Sequence, residues 1–125
     1  MEGVGMADRV LFIGWGSPVR GSEERGLEVF NEALGLLGRM QQDGRIEGFD
    51  VALLLPNSEL NGYIAVRGTA EQIADIREDE EFRRNQIDAS LIVDDLRNVE
   101  GYTNEGVATE MAMYQEAVAK VPQRA

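Results

Sequence analysis

The sequence contains no cysteine and no histidine among its 125 residues. The absence of cysteine excludes thiol nucleophiles, zinc–thiolate sites and iron–sulfur ligation. The absence of histidine leaves no side chain whose ordinary pKa lies near neutrality for acid–base chemistry. From the residues alone we therefore expect neither a metal site nor a bound cofactor.

Long apolar runs are missing as well. No stretch approaches the ~20 apolar residues that span a bilayer. The first ten residues, MEGVGMADRV, lack the basic start and the sustained apolar core of a secretory signal. These features predict a soluble, cytoplasmic protein without a membrane partner.

Positive charge is scarce, since 12 lysines and arginines stand against 23 carboxylates and give a formal net charge of −11. Such a surface repels phosphate backbones and anionic lipids. Nucleic acid is therefore not an expected partner, and the negative charge indicates a well-solvated surface.

The chain is long enough to form one domain with its own hydrophobic core. We expect this single domain to span residues 1–125. Apolar periodicity predicts seven elements. These are strands at 10–15, 49–55, 62–68 and 90–96, and helices at 23–42, from 70 onward through Ile73 and Ile76, and at about 105–120.

Several side chains predict where the helices begin and end. Ser22 is the expected N-cap of the first helix and Gly44 its C-terminal stop. Thr69 and Gln72 have capping-box spacing, so a helix is expected to start at Ala70. Phe82, in the acidic segment REDEEFRRN, is the expected anchor to the core.

The order of the first six elements is that of the βαββαβ, ferredoxin-like plan, an α+β fold with helices on one face of an antiparallel sheet. Its core covers about residues 8–99, and the seventh element is an extra C-terminal helix. The first two strands are apolar at nearly every position, so the second sheet face also needs cover. A second copy of the chain is the expected cover, which predicts a homodimer through that face.

The segments VLFIGWG, GYIAVRGTAEQIADIREDEEF and SLIVDD resemble the dimeric α+β barrel superfamily, including antibiotic-biosynthesis monooxygenases and YCII-like and EthD-like proteins. The resemblance covers about residues 8–99 and implies ligands held between sheet and helices. Haem-degrading relatives use a histidine on iron, and YCII-like proteins a histidine–aspartate pair. Because this chain has no histidine, neither chemistry transfers to it.

The stretch WGSPVRGSEERG, residues 15–26, resembles a phosphate loop only superficially. Gly16 and Gly21 have the Walker spacing, but Ser22 and Glu23 follow where lysine and serine or threonine are required. The dinucleotide fingerprint fails too, because residue 19 is valine. Two interpretations remain: a small-anion site formed by Arg20, Ser22 and free helix-start amides, or a capped connection.

A candidate ligand site is expected where the first and third strands meet. Antiparallel pairing predicts that the end of one strand, at Trp15, lies beside the start of the other, at Asn61 and Tyr63. Asn61, Tyr63 and Arg67 share one strand face, which is too polar for a plain core. With Ser17 and Arg20 from the loop above, these residues form either a small-molecule pocket or ordinary packing.

Two acidic groups have plain structural interpretations. Asp94 and Asp95 are neighbours on a predicted strand, so their carboxylates point to opposite faces and do not share a proton or a metal. One of them faces solvent or pairs with an arginine, and the other is a candidate base inside the barrel. The run from Glu78 to Glu81 lacks the spacing of a calcium loop and indicates a solvated turn.

Two functions remain open. The first is a homodimer that binds a small, mostly apolar molecule without catalysis. The alternative is a cofactor-independent oxygenase or isomerase acting near Trp15, with Arg20 or Arg67 stabilising developing negative charge. A cavity in which Tyr63 and an arginine converge would favour the enzyme.

Overall fold

The computed structural model describes residues 7–122. In these residues four strands form one sheet in the order β2-β3-β1-β4, with every neighbouring pair antiparallel. The elements are β1 (Arg9–Trp15), α1 (Glu23–Gln42), β2 (Gly48–Leu53), β3 (Gly62–Gly68), α2 (Ala70–Glu78), α3 (Glu80–Ser90), β4 (Arg97–Tyr102) and α4 (Glu105–Ala119).

The hydrophobic core lies between one face of the sheet and helices α1, α2 and α3. Leu11 and Ile13 of β1 stand opposite Val66 and Ile64 of β3, so the four side chains share this face. The helices cover them with an apolar set that comprises Leu36, Leu37 and Met40 of α1, Ile73 and Ile76 of α2, and Phe82 of α3. Burial of Phe82 confirms its predicted role as an anchor.

The other side of the sheet, which we call the open face, is mostly apolar and only partly buried. Register places on it the apolar side chains of Val10, Phe12, Ala52, Tyr63, Ala65 and Val99, together with Asp50, Arg67 and Arg97. Phe12 and Tyr63 stack there with ring centroids 5.2 Å apart. Helices α1, α2 and α3, which supply the core, pack on the opposite face.

The helix signals in the sequence are largely confirmed. Helix α1 has the predicted bounds, and Gly44 follows its end with a φ of +75°. Thr69 and Gln72 form the capping box, in which each side chain bonds the other residue's amide at 2.9 and 3.1 Å. Ser22 occupies the N-cap position of α1, but its side chain makes no capping hydrogen bond.

The predicted fourth strand at 90–96 is wrong. Helix α3 runs to Ser90, and residues 91–96 form a loop whose Val93 makes one isolated bridge with Pro18. The fourth strand is β4, six residues with only Asn98 and Gly101 partly buried. Three apolar residues of SLIVDDL, namely Ile92, Val93 and Leu96, lie in this loop and face the space between the sheet and the helices.

The acidic segment between α2 and α3 is tighter than predicted. One residue, Asp79, separates the helices, and its carboxylate accepts a hydrogen bond from the Phe82 amide at 3.0 Å. The segment therefore begins a third helix that the sequence patterns did not predict. The second strand also ends at Leu53, two residues before its predicted end.

The C-terminal helix α4 is confirmed as an element, and its end at Ala119 agrees with the predicted end at about 120. Of its 15 residues, Gly106 is the one that is buried. Its principal packing within the described residues is on β4. None of the helices in the described part of the chain combines the length and the apolar character needed to cross a bilayer.

Candidate functional site

A cavity of about 220 Å³ lies between the helix-covered face of the sheet, α1 and α3. Ile13, Trp15 and Ile64 form its floor on the sheet. Its walls come from Gly26, Leu27, Val29, Phe30 and Ala33 of α1, from Asn85, Gln86 and Ala89 of α3, and from Ile92, Val93 and Leu96 of the following loop. An engineered apolar cavity of about 150 Å³ takes up benzene, so this space suits a molecule somewhat larger than benzene.

The indole of Trp15 lies where a side chain at Gly62 would otherwise be. Trp15 stands opposite Gly62 in the sheet, and a Cβ at Gly62 would lie 2.7 Å from Trp15 Cζ2. The ring therefore lies flat over β3 and meets Phe30 of α1 edge-on, with centroids 5.7 Å apart. Together the two aromatic rings form an apolar wall of the cavity.

The polar groups of the cavity are the side-chain amides of α3. Asn85 is buried, and its Nδ2 donates to the Val29 carbonyl of α1 at 3.1 Å. Gln86 Nε2 donates to Asn85 Oδ1 at 3.1 Å, and Asn98 Nδ2 of β4 donates to Gln86 Oε1 at 3.0 Å. This chain of amides links α1, α3 and β4 and leaves one N–H on Asn85 and one on Gln86 for a further acceptor.

Two leucines stand at the entrance of the cavity. Leu27 of α1 and Leu53 of β2 line it while remaining 65% and 71% exposed. Glu23 is the one charged lining residue among those described, and its Oε1 accepts a hydrogen bond from the Gly21 amide at 3.0 Å. The entrance is thus apolar with one carboxylate at its rim, which favours neutral ligands over anions.

The loop that follows β1 is a structural connection. Gly16 N donates to the Asp94 carbonyl at 2.7 Å, Asp94 N to the Ser17 carbonyl at 2.8 Å, and Val19 N to the Ile92 carbonyl at 2.8 Å. These bonds join residues 16–19 to residues 92–94 and close one end of the cavity. The loop's backbone is used for this pairing, which supports the interpretation as a connection over the small-anion site.

The expected convergence of Trp15 with Tyr63 and Arg67 is wrong. Register places Trp15 with Ile13 on the helix-covered face, whereas Tyr63 and Arg67 lie on the open face. Arg67 is already paired there, with Glu47 at 3.3 Å and Asp50 at 3.1 Å. The strands meet as predicted, but adjacent residues of a strand point to opposite sides.

The remaining predicted site residues also lie apart from the cavity. Asn61 is beside Trp15 through its backbone, its N donating to the Trp15 carbonyl at 2.8 Å. Ser17 and Arg20 are exposed in the loop. Asp94 and Asp95 are both exposed in a loop, so neither is a strand residue or enters a barrel interior. Trp15 is therefore the predicted residue that lines the cavity.

Sequence patterns missed most of the cavity because α3 was not predicted. Leu27, Phe30 and Ala33 belong to the apolar periodicity that predicts the helix at 23–42, and this periodicity does not show that they line a space. No pattern in the sequence indicates the amide chain from Asn85 to Asn98. Among residues 7–122, no cluster of three or more carboxylates is arranged to hold a metal ion.

Comparison with solved structures decides the fold. A crystal structure from Bacteroides fragilis, of a dimeric protein of unknown function with a ferredoxin-like fold, matches with a TM-score of 0.56. The match covers 75% of this chain and 95% of that one at 13% sequence identity. The chain has a ferredoxin-like fold. No protein-family model matches the sequence, and no curated protein matches it.

Proposed function

We propose that the chain is the subunit of a homodimer whose helix-side cavity binds a small, neutral, mostly apolar molecule without catalysis. The observation that carries this proposal is the cavity of about 220 Å³ between Trp15, Phe30 and the amides of α3. Apolar walls with a few hydrogen-bonding groups are the usual features of small-ligand sites. The free N–H groups of Asn85 and Gln86 suit a ligand with one carbonyl or ether oxygen.

The binding role is favoured over catalysis by what the cavity contains. The alternative, a cofactor-independent oxygenase or isomerase, needs a cation near the reacting oxygen. Among the described residues that line the cavity, Glu23 is the one charged group, and Tyr63, Arg20 and Arg67 are elsewhere. A negatively charged rim opposes the formation of an oxyanion in the cavity.

The homodimer is supported by the open face and by the Bacteroides fragilis protein, which shares the fold and is dimeric. Val10, Phe12 and Tyr63 are only half-buried, and helices α1, α2 and α3 pack on the opposite face of the sheet. We further infer that the chain is related to the dimeric α+β barrel proteins, among them the antibiotic-biosynthesis monooxygenases and the YCII-like and EthD-like families. Light scattering tests the assembly, with twice the subunit mass of 13.8 kDa expected.

Two glycines of α1 allow a matched test of the cavity. A Cβ at Gly26 points toward Ile92, 4.0 Å away in the cavity wall, whereas a Cβ at Gly38 meets nothing within 4 Å. Gly26→Leu and Gly38→Leu each replace a helical glycine, and each should raise the intrinsic stability of the helix by a similar amount, about 1 kcal/mol. The first alone places a large side chain in the ligand space.

The readout is the indole N–H signal of Trp15, which is the single tryptophan of the chain. We expect naphthalene to shift this signal saturably in the wild type and in Gly38→Leu, and at least about tenfold more weakly in Gly26→Leu. Naphthalene-1-sulfonate is expected to bind more weakly than naphthalene because of Glu23. Equal binding of naphthalene by all three proteins, or no binding by the wild type, would contradict the proposed site. The variant Tyr63→Phe is expected to bind naphthalene as the wild type does, because Tyr63 lies on the open face.

A further inference from the structure

Helix α4 carries an apolar stripe that the described chain leaves exposed. Val107, Met111 and Tyr114 recur at spacings of four and three, so they share one face of the helix. Their side chains are 47%, 50% and 65% exposed, respectively. Gly106, the buried residue of α4, lies about 100° around the helix from Val107, so the face that Gly106 buries is not the face of the stripe.

The start of α4 is fixed in place by hydrogen bonds. Thr103 N donates to the Asp8 carbonyl at 2.9 Å, and Asn104 Nδ2 donates to the Ala7 carbonyl at 2.9 Å. A Cβ at Gly106 would lie 2.7 Å from the Asp8 carbonyl oxygen, so the helix closely approaches the backbone just before β1. Two residues, 103 and 104, join β4 to α4, so the start of α4 is held at this edge of the sheet.

We propose that the stripe of α4 packs against a second copy of this chain and forms part of the homodimer interface, an inference that rests on the proposed homodimer. The helix starts at the end of β4, which is the edge strand of the open face. The stripe therefore begins at the sheet edge where the open face ends. A twofold partner that covers one is placed to cover the other.

The size of the open face supports this assignment. Four strands of about six residues make a face of about 20 by 19 Å, or about 400 Å² before side-chain relief. Stable dimers bury about 800 Å² of accessible surface on each partner. A helix of 15 residues adds a strip of about 22 by 10 Å, so the sheet and α4 together approach the required area.

One local pair of opposite charges favours the same occupant. Arg97 lies on the open face and donates to the carbonyls of Asp95 and Glu59 at 3.1 and 3.5 Å, and within the described residues no carboxylate pairs with it. Glu110 borders the stripe, about 60° from Val107 around the helix. Arg97 and Glu110 thus carry opposite charges on the two surfaces, while the net charge of −11 on each subunit opposes association both with an anionic bilayer and with a second subunit.

The test compares two faces of α4 in the full chain by sedimentation velocity. The double variant Met111→Glu/Tyr114→Glu places carboxylates on the stripe, and the control Thr109→Glu/Ala112→Glu places the same charges on the opposite face. We expect the dimer dissociation constant to rise about 100-fold or more in the first and to change less than about tenfold in the second. Circular dichroism checks that every variant keeps its helix content.

A third variant separates this inference from the proposed homodimer. Val99→Glu places a carboxylate on the open face beside Phe12, at a residue of β4 and not of α4. If Val99→Glu dissociates the dimer and the stripe variant does not, the homodimer stands and the role of α4 is overturned. A wild type that stays monomeric at all concentrations overturns both.

A mixed dimer shows directly which chain α4 contacts. The chain has no cysteine, so Tyr114→Cys accepts a single nitroxide label. Mixed with ¹⁵N-labelled wild type, the labelled subunit is expected to broaden signals of its partner's open face or α4. In a second sample the nitroxide-bearing chain itself carries the ¹⁵N. If the nitroxide broadens open-face signals only in this second sample, and none in the ¹⁵N-labelled wild-type partner, the proposal is overturned.

Discussion

Glycines on the central strands give the aromatic residues room to lie flat on both faces of the sheet. A Cβ at Gly62 would meet Trp15 Cζ2 at 2.7 Å and the Ala52 carbonyl oxygen at 2.9 Å. A Cβ at Gly14 would meet the Phe12 ring at 2.6 Å on the open face. These two glycines therefore determine where the cavity wall and the stacked Phe12–Tyr63 pair can lie.

The substitution Gly62→Ala tests this role. We expect it to lower the free energy of unfolding by about 1–3 kcal/mol, because both the indole and a backbone carbonyl must move. Urea unfolding followed by Trp15 fluorescence measures the change. In the control Gly101→Ala the new Cβ meets Val10 Cγ1 at an ordinary 3.5 Å, and no comparable loss is expected. A Gly62→Ala protein as stable as the wild type would refute the packing argument.

At the scale of the elements, Asp79 decides that α2 and α3 are two helices. Its φ and ψ of −65° and 130° are extended, so the chain leaves one helix and enters the next at this residue. The hydrogen bond from the Phe82 amide, supported by Arg45 at 3.1 Å, lowers the pKa of the Asp79 carboxyl. Ionised Asp79 thus stabilises the start of the helix that walls the cavity.

Replacing this cap has an expected cost and a pH dependence. Asp79→Ala should lower the free energy of unfolding by about 1–2 kcal/mol at neutral pH, because a helix amide loses its acceptor. Since the folded-state pKa is lowered, the carboxylate contributes fully above its unfolded value of about 3.9, and the contribution is lost as the pH falls through the folded value.

Chemical denaturation at several pH values measures this difference. The gap between the wild type and Asp79→Ala should narrow as the pH falls below about 4. Asp75→Ala removes the same charge from an exposed position on α2 and is the matched control, for which only a small change is expected. A gap that is constant down to acid pH would show that the ionised carboxylate is not the stabilising species.

At the scale of the whole molecule, the negative charge of the subunits opposes their association. Each subunit carries −11, so two subunits repel one another while the open faces and α4 attract through apolar burial. Salt screens the repulsion over a Debye length of about 10 Å at 0.1 M and about 3 Å at 1 M, while apolar burial does not weaken with salt.

The proposed dimer should therefore tighten as salt is added. We expect the dissociation constant measured by sedimentation to fall between about 0.02 M and about 0.5 M sodium chloride. Sucrose at equal osmolality is a control that leaves the screening unchanged. A dimer that weakens steadily with salt would mean that interfacial ion pairs such as one between Glu110 and Arg97 dominate over apolar burial.

The sequence alone determined the elements whose signals are local. The bounds of α1, the capping box at Thr69, the anchor Phe82 and the amphipathic α4 all follow from spacing and capping within a few residues. The order of the elements then predicted the ferredoxin-like fold, because few topologies satisfy that order.

Only the tertiary structure decided the site. The pattern of SLIVDDL predicts a strand, but Ile92, Val93 and Leu96 line a cavity from a loop, and apolarity alone does not distinguish the two. Trp15 and Tyr63 lie on opposite faces of the sheet because a shift of one residue along a strand moves a side chain to the other face. The sequence alone does not fix the register to one residue. A cavity is a space left between helices and sheet, and it is encoded in no single segment of the chain.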